Sequence, residues 1–233
     1  MRKEDIPVLF EDSTCIVVDK PAGLTVHPAG TLPKEERTLV EILAEGEHSP
    51  LFLVHRLDKG TTGCLLLAKS EKFCEQLQQQ FKNHTVKKAY LALCAGIPEK
   101  KKARIDAPIG RNLTQRTKMS LCRTRSSRSA ITIYAVLDET KESSLLRCEI
   151  ETGRTHQIRV HLSSIGHPIV GDMKYGSEVS KRLSEKYGIK SPLLHAHMLE
   201  FSSPETGESV RVKAPLPESF IDAARKLGIE LRL

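Results

Sequence analysis

Apolar positions along the chain fall into short runs of β character separated by turns, with a few stretches of helical spacing among them. CIVVDKPAG (15–23) reads as a short buried strand closed by a Pro-Ala-Gly turn, and HPAGTLPKEE (27–36) as loop. Thr38 and Glu41 have capping-box spacing ahead of Leu39, Val40, Ile42 and Leu43, which predicts a short helix. LFLVHRL (51–57) and CLLLAK (64–69) are strand-like, with the loop DKGTTG between them. From 71 to 82 the apolar residues Phe73, Leu77 and Phe81 recur every fourth position and share a helix face. VKKAYLALCAG (86–96) returns to strand character. Residues 100–128 are polar with little periodicity and read as an extended insertion or long loop with small strands.

The second half continues in the same manner. Residues 129–139 and 144–152 predict a hairpin, and Thr155–Ile165 a short helix with Ile158, Leu162 and Ile165 on one face and Gly166 closing it. Lys181–Gly188 predicts another helix, 193–203 and 209–215 two strands about a turn, and Pro217 opens a last helix ending near Gly228. Strands that follow one another without an intervening helix indicate an α+β fold with a mostly antiparallel or mixed sheet rather than a doubly wound one. No stretch is rich enough in linker residues to part the 233 residues into autonomous pieces, so 1–233 is expected to form one domain.

Charge changes this picture in one place. Between Lys100 and Arg128 ten basic residues face a single acid, Asp106, an excess of nine that exceeds the +7 of the whole chain. Such a stretch is either a solvated basic face or the footprint of a polyanion whose counterions it displaces. Its Arg116, Lys118, Arg123 and Arg125 are the candidate polyanion contacts. Aromatic anchors for a membrane surface are missing among these charges. The aliphatic runs are far shorter than the roughly 20 residues that span a bilayer, and the chain reads as soluble and cytoplasmic. Six cysteines, none in a CxxC pair, predict neither a zinc framework nor disulfides.

Two segments concentrate reactive groups. In LVHRLDKGTTG (53–63), His55, Arg56, Asp58, Lys59, Thr61 and Thr62 crowd a strand end between glycines. Arg56, two residues before Asp58, can seat the carboxylate in an ion pair and keep it ionised as a nucleophile requires; the alternative is that Asp58 only organises the Gly-rich turn. In ETGRTHQIRVH (151–161), Arg154, Thr155, His156, Gln157, Arg159 and His161 crowd a helix start, where Arg154 and the free N–H groups near Thr155 can hold phosphate. The other reading is a capped amphipathic helix. His156 and His161 are five apart and no HExxH occurs, so no metal is expected. GxSxG, P-loop and dinucleotide fingerprints are absent. Tyr90 is a stacking platform, a proton-transfer group or an ordinary buried tyrosine.

Taken together these segments resemble the RluA-type pseudouridine synthases over nearly the whole chain. The signature HRLDxxTSG stands here as HRLDKGTTG (55–63), preceded by VVDKPAGLTVHPAG (17–30). GRTHQIRVHLSSIGHPIVGDMKYG (153–176) is similar to the family's second long motif, and LLHAHMLEFSSPETG (193–207) with KAPLP (213–217) to its C-terminal one. The resemblance implies a central, mostly antiparallel mixed sheet with flanking helices and a deep catalytic cleft. It makes Asp58 the catalytic aspartate, Tyr90 the tyrosine that lies against the target base, and Arg159 the basic residue that pairs with the aspartate. Arg56 becomes the arginine that contacts RNA and helps displace the target nucleotide. His55, Arg154, Thr155 and His156 join it as expected RNA contacts. Isomerising uridine adds no atom, so no cofactor or metal is implied.

The chain departs from the pattern at Thr62, where the family usually has serine; the hydroxyl is kept and a methyl is added. No room is seen for an N-terminal S4-type RNA-binding domain. On this reading the protein acts alone as a monomer, with no obligate protein partner and no membrane. Its expected substrate is structured RNA, either tRNA or a 23S ribosomal hairpin or both, with ribosomal RNA alone as the second reading. The rivals are a catalytically inactive RNA-binding or ribosome-assembly protein of the same fold, and a hydrolase or ligase acting on a small anion.

Overall fold

The structure is a computed structural model that describes residues 2–27, 37–45, 50–122, 124 and 126–232. In chain order the described residues form β1 (Val8–Glu11), β2 (Cys15–Lys20), α1 (Leu39–Leu43), β3 (Phe52–Leu53), β4 (Thr62–Ala68), α2 (Glu71–Lys82) and β5 (Lys87–Ala95). There follow β6 (Lys102–Asp106), β7 (Ile109–Arg111), β8 (Met119–Leu121), β9 (Ile131–Glu139), β10 (Ser143–Ile150) and α3 (Gln157–Ser164). The chain closes with α4 (Glu178–Tyr187), β11 (Leu194–Ser202), β12 (Ser209–Lys213) and α5 (Glu218–Leu227). This is the expected α+β class, a large, mostly antiparallel sheet with few helices. The chain divides into two compact units, Met1–Lys88 with Ala196–Pro215, and Ala89–His195 with Leu216–Leu233.

In the first unit the strand order is β1-β2-β4-β11, with β12 antiparallel to β11 and β3 antiparallel to β4. Every residue of β4 is buried, and β2 is buried at all positions but Asp19. Both therefore read as continuous apolar runs rather than alternating ones. Cys15, Val17, Leu66, Phe201 and Val212 form the core, and α2 covers it. Leu77 of α2 is fully buried, a contribution of about 1.5–3 kcal/mol, while Phe73 and Phe81 on the same face pack partly buried beside it. Ser70 caps α2 by accepting from the Phe73 amide. The capping box read at α1 is present: Thr38 Oγ1 accepts from Glu41 N–H, and Glu41 Oε2 accepts from Thr38 N–H at 2.7 Å. Of the loop expected at 27–36, all but His27 lies outside the described residues.

The strand expected at 51–57 is only two residues long. Phe52 and Leu53 pair with Ala68 and Leu67, and there the ladder stops. The next amide of β4, that of Leu66, donates instead to His55 Nε2 at 3.1 Å. A side chain has taken the place of a backbone acceptor, which frees the chain to turn outward at the signature loop.

In the second unit the strand order is β5-β10-β9-β6, all antiparallel, with the small hairpin β7–β8 forming a separate sheet. The predicted β9–β10 hairpin is present, and the polar stretch does hold small strands. α3 begins at Gln157, later than the expected 155, because His156 is left-handed (φ 57°) and cannot continue a helix. α4 begins at Glu178, earlier than the expected 181, because Ser177 accepts from the Ser180 amide and caps it. Gly188 and Gly228 end α4 and α5 in the left-handed conformation.

Candidate active site

In the first unit, the turn from β3 to β4 carries His55, Arg56 and Asp58. Leu57 points into the core, so its neighbours face outward: Arg56 is exposed and Asp58 half-buried. The expected ion pair between them does not form among the described residues. Arg56 lies in solvent, while the Asp58 carboxylate acts on the buried amine of Lys20.

Lys20 ends β2 and is fully buried. Its Nζ donates to the carbonyls of Pro21 at 2.8 Å, Lys59 at 3.1 Å and Thr61 at 2.9 Å. An ammonium has three donors, and all three are used. Burial pushes the Lys20 amine down to about 7, while the Asp58 carboxylate pulls it upward. One buried side chain thus ties the Pro21 turn to the Asp58 loop, and Gly23 N–H adds a bond to the Lys59 carbonyl at 2.8 Å. Within the loop, Thr61 N–H closes a turn on the Asp58 carbonyl at 3.0 Å, so the backbone of Asp58 organises the turn and its carboxylate is not needed for that bond.

Gly63 closes the signature with φ +102°. A β-carbon there would lie 2.4 Å from the carbonyl oxygen of Ala196 in β11 and would meet rigid backbone. Gly63→Ala is therefore expected to cost more than about 3 kcal/mol from strain and overlap together. Urea unfolding measures this directly, and a wild-type midpoint would contradict the close packing of β4 on β11.

The His55 ring is used within the fold. Besides accepting from Leu66, it stacks on Phe81 with centroids 4.8 Å apart. Burial, and then the Lys88 charge, push it down to about 3. Between that value and the ordinary 6.5 the unfolded chain binds a proton that the folded one does not. Stability is therefore lost as pH falls from 6.5 toward 3. A His55→Gln variant should show a flatter fall of the urea midpoint over that range than wild type; parallel curves would show that His55 is not kept neutral.

In the second unit, Tyr90 lies on β5 opposite Cys148 of β10 and is 8% exposed. The polar residues of the second motif divide into two groups. Gln157 and His161 are buried and spent on the fold. Gln157 accepts from Thr152 Oγ1 and Arg154 N–H and donates to Ile131 O and Thr132 Oγ1, while His161 bonds Thr132 Oγ1 and Ala107 O. Arg154, Thr155 and His156 are half-buried. Arg154 Nε donates to Ser129 O at 3.0 Å, and His156 Nδ1 bonds the Tyr175 hydroxyl at 2.7 Å.

Arg159 reaches inward from α3 and meets Asp172 as a two-pronged fork, Nε to Oδ2 at 2.7 Å and Nη2 to Oδ1 at 2.9 Å. Both side chains are nearly excluded from solvent. The Tyr175 ring lies 5.1 Å from the guanidinium carbon. Of the three residues assigned to catalysis, Asp58 belongs to the first unit and Tyr90 and Arg159 to the second.

The basic stretch is less free than its sequence implies. Lys101 pairs with Glu139, and Arg104 with Asp106 and Glu151, so acids from β9 and the end of β10 neutralise its start. Arg111 and Arg116 are exposed and Lys118 half-buried, and none of them forms an ion pair among the described residues. All three sit on or between β7 and β8. Arg123 and Arg125 lie outside the described residues.

Sequence reasoning missed Lys20 and Tyr175. The signal for the first was available: a lysine ending a run in which every other position but one is apolar has nowhere to go but inward.

Residues 14–164 match the family model for RNA pseudouridylate synthase. The chain is 42% identical over 238 residues to the ribosomal large subunit pseudouridine synthase D of Nitrosomonas europaea, spanning 96% of this chain and 67% of that one. It is 39% identical to an uncharacterized RNA pseudouridine synthase of Bacillus subtilis, over 96% of this chain and 73% of the relative. Among solved structures, human RNA pseudouridylate synthase domain containing 4 superposes with a TM-score of 0.78 at 31% identity, covering 96% of this chain and 94% of that chain. The chain belongs to the RNA pseudouridylate synthase family and is an RNA-modifying isomerase. Among the described residues no helix is long and apolar enough to cross a membrane.

Proposed function

We propose that the protein converts uridine to pseudouridine in large-subunit ribosomal RNA, with Asp58 as the nucleophile. The observation that carries the substrate is the 42% identity to a relative named for the large ribosomal subunit, which favours ribosomal RNA alone over an expected substrate that includes tRNA. The observation that supports Asp58 is its place, half-buried on a loop whose carbonyls are held by the buried Lys20. A reactive carboxylate on a loop fixed by a rigid strand is positioned without being buried away from substrate.

The reaction breaks the C1′–N1 bond, turns the uracil and joins C5 to C1′; the C5 hydrogen leaves and no atom is gained overall. The base must first leave its stack, at a cost of a few kcal/mol. Arg56, exposed beside Asp58, fills or braces the vacated place. The carboxylate then acts at C1′, at C6 of the ring, or as the group that promotes elimination to a glycal. Each route needs the ionised aspartate. Tyr90 packs on the uracil and assists loss of the C5 proton, and Arg159 holds the carboxylate, roles that rest on their motif positions. The β7–β8 hairpin, with Arg111, Arg116 and Lys118, supplies phosphate contacts. The free thiols of the six cysteines suit a reducing cytoplasm, where we place the protein as a monomer.

Mapping pseudouridines in total RNA from cells with and without the gene tests the substrate. Sites lost from large-subunit ribosomal RNA are expected; losses confined to tRNA would overturn the substrate while leaving the enzyme class intact.

A further inference from the structure

We propose that Tyr175 is a positioning residue that couples RNA held on the β7–β8 hairpin to the orientation of Arg159. The inference rests on the role proposed above for Arg159. Tyr175 touches both ends of that link. Its hydroxyl accepts from the Met119 backbone N–H of β8 at 2.9 Å, next to Lys118, and bonds His156 Nδ1 at 2.7 Å. Its ring lies against the Arg159 guanidinium at 5.1 Å. Its backbone is fixed as well: the Tyr175 amide donates to Asp172 Oδ1 at 3.1 Å, and the Tyr175 carbonyl accepts from Ser163 Oγ of α3 at 2.8 Å.

Asp172 completes the device. The carboxylate that receives the Arg159 fork also receives the amides of Lys174 and Tyr175, so it sets the guanidinium and the tyrosine together. His156 marks where the strain lies. It is one of two non-glycine residues with positive φ among the described residues, it immediately precedes the helix that bears Arg159, and its ring is tied to the same hydroxyl. A strained residue persists where its surroundings over-determine it. Met119 and Tyr175 also pack against the buried cluster of Ile109, Ala130 and Val160, the last being the neighbour of Arg159. A shift of the hairpin backbone at Met119 therefore acts on the hydroxyl, on His156 and on the guanidinium at once.

The hydrogen-bond roles follow. A backbone N–H can only donate, so the Tyr175 oxygen accepts from Met119; toward His156 Nδ1 the hydroxyl donates or accepts according to the imidazole tautomer.

The test is a double-mutant cycle on the single-turnover rate at saturating RNA, using the segment that the wild-type protein converts. Tyr175→Phe keeps the ring over Arg159 and deletes only the hydroxyl link. We expect it to lower the saturated rate about tenfold while the Kd for RNA stays within about twofold, a split that loss of stability alone does not produce. Neutralising the hairpin with Arg116→Gln and Lys118→Gln should lower the same rate, and adding Tyr175→Phe to it should cost nothing further. Losses that multiply, or a wild-type rate for Tyr175→Phe, overturn the proposal. Arg159→Lys separates this from the reading beneath it, because a wild-type rate there removes Arg159 from the reaction, whereas a slow Arg159→Lys with additive cycle losses removes only the coupling.

Discussion

Replacing Lys20 with methionine is expected to lower the thermal midpoint by about 10 °C and to remove most of the turnover. Methionine fills nearly the same volume, so the effect isolates the ammonium rather than a cavity. Three carbonyls, those of Pro21, Lys59 and Thr61, would lose a donor that is itself fully buried. Even partial relaxation leaves a loss of about 3 kcal/mol. Two of the three carbonyls belong to the Asp58 loop, so the same change loosens the nucleophile. The pH dependence offers an independent check. The Lys20 amine is pushed down to about 7 in the fold from an ordinary 10.5. Between those values the unfolded chain holds more protons, and stability rises with pH across that window. Below it the folded protein bears the full cost of a buried ammonium. Urea midpoints at pH 7 and pH 9 should therefore differ more for wild type than for Lys20→Met. Equal thermal midpoints and equal pH slopes would show that Lys20 neither holds the loop nor titrates in it.

The elements that sequence reading placed well are those whose signal is local. α2 runs from Glu71 to Lys82 as its four-residue apolar spacing indicates, and the capping box at Thr38 and Glu41 is legible within one helical turn. The family could be read from the ordered motifs. What escaped depends on partners distant along the chain. β3 is short because His55 reaches across to Leu66, eleven residues on. Lys101 and Arg104 lose their free charge to Glu139 and Glu151, which no count within 100–128 includes. Arg56 and Asp58 look like an ion pair on spacing, yet buried Leu57 turns its two neighbours outward, and Asp58 acts on Lys20, which comes from β2. The two compact units are interleaved, since residues 196–215 return to the first, and composition carries no mark of that return.

Asp58→Asn should fold, bind RNA with close to wild-type affinity, and make no pseudouridine. The amide is nearly isosteric with the carboxylate but has neither its charge nor its nucleophilic oxygen. The loop survives the change because the turn at Thr61 uses the Asp58 backbone carbonyl, and Lys20 holds the backbone of Lys59 and Thr61 rather than depending on the side chain alone. RNA affinity survives because it comes mainly from the basic groups that meet phosphates. The expected loss is on the order of 10⁴-fold or more in the chemical step, as when the one covalent nucleophile of an enzyme is removed. Circular dichroism and filter binding verify the first two statements. Each conversion of uridine expels one hydrogen from C5, so tritium released from RNA labelled there counts turnovers. With all RNA bound, wild-type protein should release its label while Asp58→Asn releases none above background; release by the variant within about tenfold of the wild-type rate would contradict a nucleophilic role for residue 58.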